Sequence, residues 1–403
     1  MDPFEGEPSR RTIEYEPISV KDALVEMKDT AELMIDLSYS AVLHQNHDLA
    51  REVLRLEERM DLLEMRARMS LLLAARNPDD AEQLAPVLGI VAAADSISDA
   101  AGDIAKVLLE DVGLPEEMRA ALPEAVETLV RVVVDPDSTV VDRSLVDIDL
   151  ESETGVRVIA LRRADEWILN PGPATTIRAE DVAFLRGIEA DVGPVVETFS
   201  NEAYEVSPGT APSIDDLSRA VDTIVHMKNL SEIAVDLAYS SVLFDSQNLA
   251  EEVRNLEIEV DAMLSRLMAW TLKAASKVDD PVSLRGLLTL ATSTEVISDA
   301  AIDISEGIFL DLETHPVVQL AVQESDEIIT RITVHPESEL VGTSIVDGRP
   351  ELDVGLSVIA IRRPDEGWLL IADDDAEIRA NDVLIAKGTR TAEADVGERA
   401  SSQ

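Results

Sequence analysis

The chain of 403 residues has no cysteine and few aromatic residues, which make up 3% of it. Without cysteine it forms neither disulfides nor thiolate metal sites. Basic residues are also scarce, since 34 lysines and arginines stand against 81 aspartates and glutamates, for a formal net charge of −47. A chain so short of basic residues has no patch to neutralise phosphates, which excludes nucleic acid as a partner. We find no signal-peptide pattern and no apolar run near the ~20 residues of a membrane span, so we expect a cytoplasmic protein, peripheral to the membrane at most.

The acidity does not indicate disorder, because 46% of the residues are hydrophobic and disordered chains combine high charge with low hydrophobicity. Such a composition is similar to that of proteins that fold in molar KCl. At about 1 M salt the Debye length is roughly 3 Å, so repulsion between carboxylates is screened. At low salt we expect the same charge to destabilise the folded chain.

The sequence contains an internal repeat, with an offset of 200 residues between the two copies. Residues 36–43 (DLSYSAVL) return as 236–243 (DLAYSSVL), and residues 158–163 (VIALRR) return as 358–363 (VIAIRR). The second copy then carries one extra residue, so that Asp181 matches Asp382. A period of this length is too long for a solenoid and predicts two copies of a multi-element module. We therefore expect pseudo-twofold symmetry inside one chain.

Each copy begins with a helical half. Apolar residues recur every three or four positions from Ile18 onward, as on the buried face of a helix. Further helices are predicted over about 48–76, ending before Pro78, and about 79–110. Residues 214–312 repeat this pattern, with stops at Pro281 and at His315-Pro316. Three long helices with short turns predict antiparallel bundles over 18–115 and 214–315.

Each copy ends in a β-rich segment. We predict strands at 129–134, 155–161, 167–169 and 181–187 and a short helix within 140–150, which gives small α+β domains over 122–190 and 320–391. Domains of this size seldom hold a sufficient core alone, so we expect the two to pair about the pseudo-twofold axis. Residues 197–213 are predicted to be a linker, and residues 1–17 and 392–403 to be disordered ends.

These segments resemble two known families. The helical halves resemble PhoU domains, which are three-helix repeats with acidic residues four apart, packed two together. The β-rich halves resemble the C-terminal domain of RCK/TrkA proteins, which are cytoplasmic regulators of potassium channels and transporters. The matching stretches in the second copy are 334–345 (VHPESELVGTSI), 358–363 (VIAIRR) and 381–388 (NDVLIAKG). Asp142 stands where the family pattern and the second copy (Gly342) have glycine.

The resemblance implies an α+β fold class. We expect two three-helix PhoU-like bundles packed as a six-helix body, together with two small α+β RCK C-terminal domains that form a pseudo-twofold pair. The nucleotide-binding N-terminal domain of the RCK family has no counterpart here. The chain has no Gly-x-Gly-x-x-Gly after a strand, so NAD is not expected as a ligand.

Pairs of acidic residues four positions apart occur on all three predicted helices of both halves. Residues at this spacing share a helix face, and most of these acids have no lysine or arginine three or four positions away. Carboxylates on facing helices ligate hard cations or iron, and the PhoU resemblance implies a transition metal or K⁺ at these pairs. The alternative is a solvated acidic face that binds no ligand. The pairs are Glu32/Asp36, Glu57/Asp61, Asp95/Asp99, Glu232/Asp236, Glu257/Asp261 and Glu295/Asp299.

Two arginines end the same predicted strand in each copy. They are Arg162 and Arg163 in the first copy, and Arg362 and Arg363 in the second. In the RCK C-terminal family this region lines a dimer groove, where some members bind cyclic di-AMP, and a guanidinium group suits phosphate. The resemblance implies a nucleotide site with Arg163 and Arg363 on opposite sides. The alternative is a salt bridge at the strand end with neighbouring aspartates and glutamates.

The sequence contains no catalytic constellation. Its five histidines form no triad, and we find no Walker loop, Gly-x-Ser-x-Gly or HExxH motif. We therefore do not expect an enzyme. The resemblance to the RCK/TrkA C-terminal domain implies a regulator of cation transport, most of all of potassium. It would sense a small ligand or ion and act on a membrane channel or transporter subunit, either as a monomer with an internal pseudo-dimer or as a homodimer. A PhoU-type adaptor of phosphate uptake and a scaffold without ligands are the alternatives.

Overall fold

The structure is a computed structural model. It describes residues 18–114, 128–148, 150, 154–169, 171–187, 189–204, 214–278, 280–310, 312, 315–325, 328–346, 349–350, 356–363, 367–370 and 376–388. The predicted disordered ends, and residues 205–213 of the predicted linker, lie outside these ranges.

The first three helices form an antiparallel bundle, as predicted. They are α1 (Val20–Leu43), α2 (His47–Ala74) and α3 (Pro78–Leu109). Each begins at a side-chain cap: the Ser19 hydroxyl accepts from the Asp22 amide, and Asn46 and Asn77 cap α2 and α3. Within the described residues, α3 is the one helix long and apolar enough to cross a membrane, and 56% of its most apolar stretch is buried inside the protein.

The first small domain is a four-stranded antiparallel sheet with a helix packed on one face. Its strands are β1 (Thr128–Val133), β2 (Arg157–Arg163), β3 (Glu166–Leu169) and β4 (Val182–Gly187), in the spatial order β1-β4-β2-β3. A short helix, α4 (Leu145–Ile148), precedes β2, and α5 (Glu189–Ser200) follows β4. Phe199 of α5 is fully buried against the sheet. The first part of the predicted linker is therefore a helix of this domain.

The second bundle repeats the first. Its helices are α6 (Asp215–Leu243), α7 (Gln247–Ala275) and α8 (Arg285–Phe309), with a 3₁₀ turn (Pro281–Leu284) before α8. An additional helix, α9 (Pro316–Glu324), follows where the sequence predicted a stop. Pro316 is at the first helical position, where its missing N–H costs nothing, and His315 caps the helix by accepting from the Val317 amide.

The second small domain has the same strand order as the first. Strands β5 (Ile328–Thr333), β8 (Leu356–Arg363), β9 (Gly367–Leu370) and β11 (Val383–Gly388) form a sheet in the order β5-β11-β8-β9. A second, three-stranded sheet consists of β6 (Ser344–Val346), β7 (Arg349–Pro350) and β10 (Ala376–Glu377). The predicted fold class, α+β with duplicated domains, is confirmed.

The two bundles pack as one six-helix body. Helices α3 and α8 lie against each other, and one buried core contains residues from both, among them Ile97, Ile104, Ile297 and Ile304. At the end of this contact the Gly286 amide donates a hydrogen bond of 2.8 Å to the carbonyl oxygen of Gly113. A side chain at Gly286 would clash, because its Cβ would lie 2.3 Å from that oxygen.

The equivalent face of each four-stranded sheet packs against the helices. In the first half, Leu129, Ile159 and Phe184 share a core with α1 and α2. Their counterparts Ile329, Ile359 and Ile385 belong to the core of the helical body. The other face of each sheet has a core of its own. Among the described residues, none of these four cores contains residues of both sheets. We had expected each small domain to bury its apolar face against the other small domain, but in the structure the helices bury it.

Candidate functional site: charged clusters at the domain joints

The acids of α1 and α6 lie at the junction between the two halves and the sheets. The Lys387 ammonium of β11 is 2.9 Å from Asp236 Oδ1 on α6 and 3.9 Å from Glu32 Oε1 on α1. Lys28 lies 2.8 Å from Glu32, and both side chains are largely buried. Burial raises the pKa of Asp236 to about 6, although Lys387 lowers it, and the Glu32 carboxylate raises it further.

The first sheet makes the equivalent contacts. Arg186 of β4 lies 3.4 Å from Asp36 on α1, and Lys228 lies 2.7 Å from Glu232 on α6. Burial is the main cause that raises the pKa of Glu232; Lys228 lowers it and Asp36 raises it. The predicted pairs Glu32/Asp36 and Glu232/Asp236 are thus ion-paired to cations of both bundles and both sheets.

The predicted acids of α2 and α3 come together on the outer side of the first bundle. Burial raises the pKa of Asp95 to about 6, with further contributions from Glu64, Asp99 and Asp61. The pKa of Asp99 is raised by burial and then by Asp61 and Asp103. Burial likewise raises the pKa of Glu57, despite Lys106, which donates to Glu57 at 3.0 Å.

The second bundle repeats this acidic face without the lysine. Burial raises the pKa of Glu257, Glu295 and Asp299, and in each case neighbouring carboxylates, Asp261 among them, raise it further. Within the described residues, however, no group of three carboxylate or histidine side chains is placed so that it could hold a metal ion. The acids do not fit a preformed metal site, and metal binding at these pairs stays a prediction.

The second arginine at each strand end is bound inside its own domain. Arg163 donates to both carboxylate oxygens of Asp181, at 2.8 and 2.7 Å, and Arg363 lies 3.7 Å from Asp382. Both aspartates are only 1% exposed. Each also accepts a 2.8 Å hydrogen bond from a backbone amide three residues earlier in the chain, which fixes the turn before the last strand. The alternative of a local salt bridge accounts for these contacts, with the aspartate after the turn as partner and not the neighbouring acids.

Arg162 instead joins the first sheet to the helical body. It donates to both oxygens of Glu52 on α2, at 2.8 and 2.7 Å. Arg131 of β1 approaches the same carboxylate at 3.4 Å and Arg55 at 3.0 Å. Glu52 is 1% exposed, so three guanidinium groups surround one buried carboxylate.

The described residues of the second half do not form the equivalent contact between arginines of the sheet and a glutamate of the helix. The equivalent residues are Glu252, Arg331 and Arg362, and both arginines are exposed. Among the residues described, neither arginine forms an ion pair, and the contact found for Glu252 is a hydrogen bond of 3.1 Å from Asn255. The two small domains are therefore attached to the helices with different strength.

Sequence reasoning missed the cations and the buried acids that complete these clusters. A search three or four positions along a helix cannot find Lys387, which is 151 residues from Asp236. Glu52 has an arginine at such a position and resembled an ordinary surface pair. The available signal was the duplication itself, because basic residues recur as Arg186 and Lys387 at the same position of the last strand.

Comparison with known proteins agrees with this architecture. The model of the PhoU domain matches residues 24–108 and 224–308, and that of the TrkA-C domain matches residues 129–199 and 329–400. The chain is a tandem duplication of a PhoU domain followed by a TrkA-C domain. The family models thus identify the helical body as PhoU-like and both sheets as TrkA-C domains, and they extend the first TrkA-C domain over α5.

Solved structures show more distant similarity. PhoU from Pseudomonas aeruginosa is 12% identical, with a TM-score of 0.41, over 72% of this chain and 93% of that one. The GsuK RCK domain is 12% identical, with a TM-score of 0.19, over 70% of this chain and 64% of that one. The GsuK channel bound to NAD is 11% identical, with a TM-score of 0.19, over 69% of this chain and 53% of that one. None of the curated proteins matches this sequence.

Proposed function

We propose that this protein is a cytoplasmic regulator of potassium transport that acts on a membrane channel or transporter subunit. The TrkA-C and PhoU domains support a regulatory role in ion transport or phosphate signalling. Their assignment to potassium rests on the two TrkA-C domains, since this family belongs to regulators of potassium channels and transporters. Neither domain type is enzymatic.

The observation that carries the proposal is the buried ionic attachment of each TrkA-C sheet to the PhoU body. Arg162 meets Glu52 in the first half, and Lys387 meets Asp236 in the second. Lys387 also approaches Glu32 of the other bundle. A ligand that displaces a sheet must therefore change the pairing of buried charges, which is costly when one partner is left alone. This gives a small domain the means to alter the arrangement of the helices.

The test measures ion uptake in cells that lack the gene. We expect deletion to change the rate of uptake of rubidium, a tracer for potassium, and to leave phosphate uptake unchanged. Expression of the intact chain should restore the rate, whereas Lys387→Met should restore it incompletely because the attachment of the second sheet is broken. Unchanged rubidium uptake in the deletion strain would remove the potassium assignment.

A phosphate adaptor is the second candidate. It is favoured by the PhoU domains, which form the larger part of the described structure, and by their acidic outer faces. The same deletion strain distinguishes the two, since a change in phosphate uptake with normal rubidium uptake supports the adaptor.

Cyclic di-AMP remains a proposed ligand of the TrkA-C domains. Because Arg163 is held by Asp181, the nucleotide would have to compete with that carboxylate for the guanidinium group. Calorimetry with cyclic di-AMP on the intact chain and on Arg163→Gln tests this. Binding that the substitution leaves unchanged would exclude Arg163 from the site.

A further inference from the structure

The middle helix of each bundle exposes apolar side chains near its C-terminal end. On α2, Met65, Leu72 and Leu73 are 40%, 72% and 67% exposed. On α7, Met268 and Leu272 are 36% and 68% exposed. We call these the α2 stripe and the α7 stripe. Leu72 and Leu272 occupy the same position of the repeat, so the feature occurs in both halves.

The two helix segments that carry the stripes have a positive net charge in a strongly acidic protein. Acidic residues make up 81 of the 403 residues, yet residues 65–78 and residues 262–278 contain none. The first of these segments contains Arg66, Arg68 and Arg76, and the second contains Arg266, Lys273 and Lys277. Two of these cations pair with acids outside the segments, Arg68 with Glu64 and Lys277 with Asp216. Large exposed apolar side chains rimmed by polar residues mark interaction sites, and here the rim is basic.

We propose that each stripe docks an acidic amphipathic helix of a partner protein. An apolar face on such a helix would cover the exposed leucines, and its carboxylates would meet the basic rim, as in other helix-on-groove contacts. The partner is defined by this chemistry. Its identity as a transport subunit rests on the proposed function, whereas the docking itself does not.

Two other occupants fit the charges less well. If the stripes of two copies met, the arginines and lysines of one rim would face those of the other, and like charges in contact are unfavourable. A flat anionic membrane would meet not only the rim but also Asp79 and Glu82, which lie in the first turns of α3 directly after the α2 stripe and are both exposed. A single helix is narrow enough to contact the stripe and avoid these carboxylates.

The duplication fixes the stoichiometry. Since each half has one stripe, a single chain binds two helices. A partner with twofold symmetry would present two copies of the same helix, and one chain of this protein would bridge them. This follows from the match of the chain's internal repeat to the symmetry of its partner.

The test uses a labelled synthetic helix with leucine at every third and fourth position and glutamate elsewhere. A second peptide has lysine in place of every glutamate. Binding to the full chain is followed by fluorescence anisotropy, at the lowest KCl concentration that leaves the far-ultraviolet circular dichroism unchanged. We expect two glutamate peptides to bind per chain, and the lysine peptide to bind at least about tenfold more weakly.

Leu72→Glu and Leu272→Glu are the decisive variants. Because both leucines are exposed, neither substitution should disturb folding, and each should weaken one of the two sites. Together they should weaken binding about tenfold or more, since burial of one leucine contributes this much. Leu310→Glu is the matched control, because Leu310 is 60% exposed but lies at the end of α8, outside both stripes. It should bind like the unmodified chain.

Three results would overturn the proposal. The first is equal binding of the two peptides, or none. The second is flotation with vesicles of anionic phosphatidylglycerol that the Leu72→Glu and Leu272→Glu variants lose. The third is self-association in sedimentation velocity that the same variants abolish. Normal rubidium uptake in the deletion strain would instead remove the potassium assignment and leave a positive peptide result intact.

Discussion

Replacing Glu52 by alanine should detach the first TrkA-C sheet from the helical body. Glu52 is 1% exposed, and its partners Arg162 and Arg131 have side chains that are 13% and 18% exposed. Removing one partner of a buried ion pair costs about 3–5 kcal/mol, because the other charge stays buried without compensation. Arg55 is 53% exposed and adds little, since exposed pairs contribute about 0–1 kcal/mol. We therefore expect a loss of about 3–4 kcal/mol in the stability of this domain.

Trp167 is a local reporter for this loss. It lies in the first sheet, stacked on Phe184 with ring centroids 5.0 Å apart. In a chain where Trp270 and Trp368 are replaced by phenylalanine, urea unfolding followed by fluorescence reports the first small domain alone. With a slope of about 1–3 kcal/mol per molar urea, a loss of about 3–4 kcal/mol should lower the midpoint by roughly 1–4 M. Circular dichroism of the helices, recorded in parallel, should move much less.

The duplication supplies the control. Glu252→Ala removes the equivalent carboxylate in the second half, which has no ion pair to Arg331 or Arg362 in the described structure, so it should change stability by no more than about 0.5 kcal/mol. If Glu52→Ala lowered the Trp167 midpoint no further than Glu252→Ala, the buried contact would not hold the sheet, and the coupling argument would fail.

Four further substitutions test the structure elsewhere. Gly286→Ala should lower the thermal midpoint, by about 1–3 kcal/mol in stability, because its Cβ would lie 2.3 Å from a carbonyl oxygen of the other bundle; Gly89→Ala, whose nearest contact is 3.7 Å away, should not lower it. Asp142 has a φ of 61° and Gly342 a φ of 85°, so Asp142→Gly should stabilise the first small domain and Gly342→Ala should destabilise the second, each by about 1 kcal/mol in urea unfolding. The pKa of Asp95 is raised to about 6, so the ionised carboxylate destabilises the folded protein above pH 6. The contribution of Asp95 to the free energy of unfolding therefore rises as pH falls from 7 towards 4. Asp95→Asn should therefore be more stable at pH 7, by up to about 1 kcal/mol after solvent screening, and should flatten this pH dependence; an unchanged profile would contradict the shift.

The helical half of the fold was predictable because its signals are local. Apolar periodicity and the breakers Pro78 and Gly113 placed the second and third helices of the first half within two residues of their observed ends. Two predicted ends of regular structure were wrong. Residues 197–200, assigned to the linker, are the last turn of α5, and Pro316 begins α9 where a stop was predicted. In both cases packing against the rest of the protein decides the outcome, and propensity does not.

The charged clusters were predictable only in part. The acid pairs of α2 and α3 do come together, as helix periodicity requires. The partners of Asp36 and Asp236 were not found, because Arg186 and Lys387 approach from the sheets. Such contacts depend on how the sheets dock, and that docking was expected to join the two small domains directly.

The shared core of α3 and α8 has a consequence for how the protein behaves at low abundance. Two separate PhoU domains that met across such a surface would dissociate on dilution, because their assembly would depend on concentration. Here the second bundle is tethered to the first, so the contact is intramolecular and its effective concentration is set by the connecting chain. The six-helix body should therefore stay assembled even at a few copies per cell, and its two docking stripes should always be presented together.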